Sequence, residues 1–237
     1  MESGSGLGPW ACAGYVLRHD FTRPDYASPS LLPERLVSVS KCLAQGWPDS
    51  FCLPSWPLTP AERAEQAARA GMDAAHLVEV QRWSASHLEA RTLLWPDVFD
   101  RLELAREFAQ AFVTHQSGLT LLGLAVHSDD RERWTAEFDA ACSRQWSTLG
   151  ADGELLGWEP LSMDGAGPAH SWLCNYVERA VHERFGWTPN AHGLIEDVAQ
   201  ARRVAALCDS DDLPAEPEPW FAVGLVRFPL QPSRTSE

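Results

Sequence analysis

Leu119-Thr120-Leu121-Leu122-Gly123-Leu124-Ala125-Val126 is a nearly unbroken apolar run, and it reads as a short strand. Directly before it, from Asp100, Leu104, Ala105, Phe108 and Phe112 recur at helical spacing, so a helix packed on a core leads into that strand. After it, Asp129 and Asp130 stand where they can cap a further helix carrying Trp134, Phe138 and Ala141 inward. A helix, a strand and a helix in succession set the grammar by which the rest of the chain is read.

Toward the C-terminus, Ser147 to Gly153 reads as a loop. Leu155 to Leu161 follows as a strand that Pro160 confines to an edge or an end, because proline lacks the ladder donor. Ser171 is expected to cap a helix whose Trp172, Leu173, Tyr176, Val177, Ala180 and Val181 form an apolar stripe ending near Gly186. Asp197 to Leu207 gives another helix. A proline-rich acidic turn from Asp209 to Pro219 then leads into a last strand, Trp220 to Phe228.

Toward the N-terminus the chain is richer in proline and glycine. Tyr15 to Phe21 and Leu36 to Ser40 read as extended pieces. Trp47, Phe51 and Trp56 lie in a turn-rich stretch whose prolines exclude regular helix; of two readings, contact with a partner and folding back over the core, the second is the expectation. Thr59 and Pro60 signal a helix start, with that helix running to about Arg69, and Asp73 can cap a second helix carrying Leu77, Val80 and Leu88.

Strands separated by long helices, with helices the more numerous, indicate an α+β fold with a small mixed or antiparallel sheet packed by several helices. Without an internal repeat or a Gly/Ser-rich linker, residues 1–237 are assigned to one globular domain, with about 1–9 and 230–237 expected to be flexible. No apolar run approaches the ~20 residues of a membrane-spanning helix. The polar start, Met1-Glu2-Ser3-Gly4-Ser5-Gly6, lacks the pattern of a signal peptide. A cytoplasmic protein with reduced, mostly buried cysteines is the expectation.

Charge sets the expected partners. With 19 basic against 33 acidic residues and a formal net charge of -14, the chain disfavours nucleic acid and anionic membranes and favours encounter with basic proteins. Asp209, Asp211, Asp212, Glu216 and Glu218 are the candidate partner contacts, with Trp220 as an anchor or a core residue. The 11 tryptophans supply either core mass or interface anchors.

Catalytic signatures are sparse. There is no Walker loop, no GxGxxG and no GxSxG. The six cysteines form no CxxC and no Cys/His pair at zinc-finger spacing, so neither a metal nor a cofactor is expected. His170, Cys174 and Asn175 invite a thiol activated by a neighbouring imidazole. Against that, a helix beginning at Ser171 would place the sulfur beside its packed face. His192, in the tight turn Asn190-Ala191-His192-Gly193, is a candidate general base with Glu196 and Asp197 close in sequence. A hydrolase or transferase using Cys174 or His192, with His170 beside the thiol, is the alternative to a binding protein.

One resemblance bears on the choice. Gly157-Trp158-Glu159, His170-Ser171-Trp172-Leu173-Cys174-Asn175, Asn190-Ala191-His192-Gly193-Leu194-Ile195 and Glu216-Pro217-Glu218-Pro219-Trp220, with a looser echo in Ser38-Val39-Ser40-Lys41-Cys42 and Phe51-Cys52-Leu53-Pro54-Ser55-Trp56, resemble immunity proteins of bacterial polymorphic toxin systems. The resemblance implies a non-catalytic cytoplasmic protein that neutralises a cognate toxin, expected to be basic, by covering its active site.

Overall fold

The computed structural model describes residues 10–25, 27, 30–43, 46–47, 59–69, 74–95, 97–114, 116–133, 153–164, 167–210 and 212–231. Its centre is a curled, wholly antiparallel sheet built on four long strands: β1 (Trp10–His19), β7 (Leu119–His127), β8 (Glu154–Asp164) and β10 (Trp220–Phe228). Shorter strands extend it, and two more form a small separate sheet. These are β2 (Phe21–Thr22) and β3 (Arg35–Leu36), which pair only with each other, then β4 (Gly46–Trp47), β5 (Leu93–Trp95), β6 (Val98–Phe99) and β9 (Gly167–Ser171). The main order is β5-β6-β1-β7-β10-β8-β9, with β4 pairing on β1 through Leu17 and Trp47.

The helices are α1 (Pro60–Arg69), α2 (Ala74–Glu89), α3 (Leu102–Phe112), α4 (Val177–Phe185) and α5 (Val198–Asp209). The α+β reading holds, but among the described residues strands outnumber helices. The excess consists of pieces two or three residues long, which pair on the sheet without being long enough to show a two-residue period.

Alternation along β7 sorts the core. Leu119, Leu121 and Ala125 face a cluster that includes Phe99, Phe108 and Leu104 and is covered by α2 and α3. Leu122, Leu124 and Val126 face the opposite side with Val16, Leu161, Phe221 and Val223, where the curl of the sheet brings side chains from several strands together. Burial on both faces is why β7 is written as a continuous apolar run. A third cluster lies where α4 and α5 pack on β8 and β10, around Trp158, Trp172, Trp220, Val181 and Val204. Trp47, Trp172 and Trp220 rank among the largest fully buried side chains, so these three tryptophans are core mass.

Several expectations need correcting. β8 is not an edge strand, since it lies between β10 and β9. A strand residue directs its N–H and C=O to the same neighbour. The Pro160 carbonyl accepts from Trp172 N at 2.9 Å, just beyond the end of β9 at Ser171, so the missing donor falls where the ladder has stopped. The helix expected from Ser171 begins only at Val177. Ser171 belongs to β9, and Asn175 and Tyr176 adopt left-handed φ values of 54° and 62°, which a right-handed helix cannot include. The helix expected from Asp100 begins at Leu102 after an extended Arg101, and the extended piece Leu36 to Ser40 is a strand only at Leu36. Asp129 and Asp130 lie in a short 3-10 turn, Ser128–Arg133. The helix expected at Trp134, Phe138 and Ala141 lies outside the described residues, as do Phe51, Trp56, Asp73 and Asp211.

Candidate functional site

The segment after β3 is built by two serines. Ser38 Oγ donates to Glu159 Oε1 at 2.5 Å and accepts from Ser40 N at 3.0 Å. Ser40 Oγ donates to the Ala169 carbonyl at 2.7 Å and accepts from Cys42 N at 3.3 Å. Each hydroxyl thus closes a turn onto the amide two residues ahead, and the second turn ends at Cys42. Glu159 also accepts from Val39 N at 3.1 Å, and Arg18 Nη2 donates to the Val39 carbonyl at 3.0 Å. Arg18 is itself paired with Asp97, both fully buried. Glu159 is inaccessible to solvent, and burial pushes its carboxyl up against the opposing hydrogen bonds of Ser171, Ser38 and Val39. Its role is to hold the segment that carries Cys42.

The opposing wall is β9, which forms one end of the main sheet. His170 N donates to Ser162 Oγ at 2.9 Å, and Ser162 Oγ donates to Glu218 Oε2 at 2.6 Å. Beyond β9 the chain turns tightly: Cys174 N donates to Ser171 O at 2.8 Å, and Val177 N to Cys174 O at 3.1 Å. Asn175 Nδ2 is held by Glu216 Oε1 at 2.9 Å. The outcome is a cluster of three side chains from two separate parts of the chain. Cys42 Sγ lies 3.0 Å from His170 Nδ1, and the donor atoms of Cys42, His170 and Cys174 all lie within 4.8 Å of one another.

The two thiols are not equivalent. Cys42 is exposed whereas Cys174 is buried. The Cys174 thiol donates toward the Cys42 sulfur, and with the nearby His170 and the Ser40 hydroxyl this outweighs partial desolvation and lowers Cys42 from 9.0 to about 6. The same hydrogen bond, with burial added, pushes Cys174 up. Negative charge therefore resides on the accessible sulfur and the proton on the sheltered one. The donor set would also suit a soft divalent cation, although it supplies one ligand fewer than a closed structural zinc site takes.

Of the sequence candidates, His170 and Cys174, paired only in the alternative reading and with the expected helix counting against it, have donor atoms within 4.8 Å of each other, on a strand and a turn rather than on a helix. The missing member was Cys42, which lies 128 residues before His170 and outside any ligand spacing. Among the described residues Cys12, Cys174 and Cys208 are buried as expected; Cys42 is the exception, its thiol held at the surface by the two serine turns. Its local sign in the sequence is the Ser38-x-Ser40-x-Cys42 alternation. His192 stands outside the cluster and acts through its backbone, the carbonyl accepting from Val37 N at 3.0 Å. The foreseen turn around it forms, with Asn190 Oδ1 accepting from the amides of His192 and Leu194.

The acidic segment lies beside the cluster and is stitched to its own chain. Asp209 accepts from Trp220 N at 2.8 Å and pairs with Arg133. Asp212 accepts from Ser210 Oγ at 2.9 Å. Glu216 and Glu218 hold Asn175 and Ser162 as described, while Trp220 is core and donates its indole N–H to the Glu216 carbonyl at 2.9 Å. Among the described residues no helix is long and apolar enough to cross a membrane. No family model, no curated protein and no solved structure matches the chain.

Proposed function

We propose that the protein is a thiolate-dependent hydrolase or transferase in which Cys42 is the nucleophile and His170 its acid–base partner. The observation that carries this reading is the 3.0 Å contact of the exposed Cys42 Sγ with His170 Nδ1. Cys42 would attack an electrophilic acyl carbon, and His170 would protonate the departing group. Glu159 is a positioning residue, acting through Ser38 and Val39. The test is incubation with an activated ester, followed by intact-mass analysis and peptide mapping. An acyl adduct on Cys42 that slows in His170→Gln and disappears in Cys42→Ala supports the reading. Absence of an adduct, or labelling confined to other cysteines, overturns it.

A second reading is neutralisation of a basic toxin by direct contact, favoured by the net charge of -14 and by the exposed Asp209 and Asp212. Electrostatic capture of this kind is salt-sensitive. Pull-down from the native host at low and then high salt tests it: a stoichiometric basic partner released by salt supports it, and retention of nothing at low salt removes it.

A further inference from the structure

Resting on the same thiolate site, we propose that Cys42 and Cys174 form a reversible dithiol–disulfide couple in which Cys42 is oxidised by a hydroperoxide and Cys174 resolves the product. The placement supplies each requirement. Cys42 is exposed and meets the oxidant first, while Cys174 is sheltered but its sulfur lies within 4.8 Å. Closure demands that the sulfurs approach to ~2 Å. Both ends of that movement are short loops. Cys42 sits in the turn after Ser40, and Cys174 directly precedes Asn175 and Tyr176, two non-glycine residues held in the left-handed region, a sparsely populated conformation that structure around it must maintain.

The chemistry balances in two steps. The Cys42 thiolate attacks one peroxide oxygen, forming an S–O bond as the O–O bond breaks. Sulfur loses two electrons, the peroxide gains them, and the leaving hydroxide or alkoxide takes up a proton. Cys174 then gives its proton to His170 and attacks the Cys42 sulfenic acid; the S–S bond forms, the S–O bond breaks, and the departing oxygen leaves as water with that proton. A dithiol reductant restores both thiols by exchange. Oxidation would switch off the nucleophile of the proposed enzyme and protect it from over-oxidation.

Full-length protein, stripped with a chelator so that no cation masks the thiols, is treated with hydrogen peroxide and analysed by intact mass and peptide mapping. The expected result is loss of two hydrogens, a cross-linked peptide pair containing Cys42 and Cys174, and reversal by dithiothreitol. In Cys174→Ser, dimedone should instead trap a sulfenic acid at Cys42, and continued treatment should add two oxygens there. Wild-type protein that accumulates sulfinic acid at Cys42 without the cross-link, or that cross-links other cysteines, overturns the couple. Alkylation of Cys42 at pH 6 separates the two ideas. Fast alkylation without a disulfide defeats only the couple, whereas an inert Cys42 defeats the thiolate reading with it.

Discussion

Replacing His170 and Cys174 together by alanine should return Cys42 to an ordinary thiol, and the arrangement fixes how its reactivity must change with pH. The intact site lowers Cys42 to about 6, against 9.0 for an ordinary cysteine. At pH 7 that makes it ~90% thiolate instead of ~1%, a gain of about 90-fold in the reacting species. A stabilised thiolate is also a weaker nucleophile, and with a Brønsted slope of ~0.45 the same shift costs roughly 20-fold in intrinsic rate. The net advantage at pH 7 is therefore only about fourfold, and the double variant should be the faster protein on its own high-pH plateau. The two alkylation profiles are expected to cross at about pH 7–8. Iodoacetamide rates from pH 5 to 10, localised to Cys42 by peptide mapping and accompanied by melting curves to verify folding, measure this directly. A wild-type midpoint near that of an ordinary cysteine, or profiles that never cross, would refute the coupling of the two thiols through their hydrogen bond.

Glu178 is 2% exposed and neither of its carboxylate oxygens completes a hydrogen bond, and burial pushes it from 4.5 to about 7. Because the folded state prefers the protonated acid, its contribution is intact below pH 4.5 and is lost as pH rises to about 7; ionisation costs about 3 kcal/mol at 1.36 kcal/mol per pH unit. Glu178→Gln should remove this slope from denaturant-derived stabilities, and an unchanged slope would exclude Glu178 as its source. Asp97→Ala leaves the fully buried Arg18 guanidinium without its counter-charge and should destabilise the fold by about 3–5 kcal/mol. Urea unfolding checks this, with a loss under about 1 kcal/mol contradicting the role assigned to the pair. Since Arg18 also holds the Val39 carbonyl, Asp97→Ala should in addition slow Cys42 alkylation at pH 6.

What the amino-acid sequence determined is what local chemistry controls. The apolar runs of β7 and β10 commit them to a sheet, Asp197 caps α5 by accepting from Ala199 N and Gln200 N, and Gly186 closes α4 in the left-handed conformation. These outcomes need only neighbours within a turn or a period-two pattern. The sequence raised a pairing of His170 with Cys174 only as an alternative and assigned residues 171–176 to a helix, because Trp172, Leu173 and Tyr176 look the same at helical spacing whether they lie in a helix or, as here, in a turn that buries Trp172 and Leu173 and leaves Tyr176 exposed. Tertiary structure decided the remainder. Pro160 became an interior residue because β9 ends opposite it, and Glu159 became an anchor because the 38–42 segment crosses over it. Cys42 joined a partner 128 residues away because sheet order places β9 beside that segment. Proximity of this kind leaves no trace in spacing, since it arises from how strands pair across the whole chain.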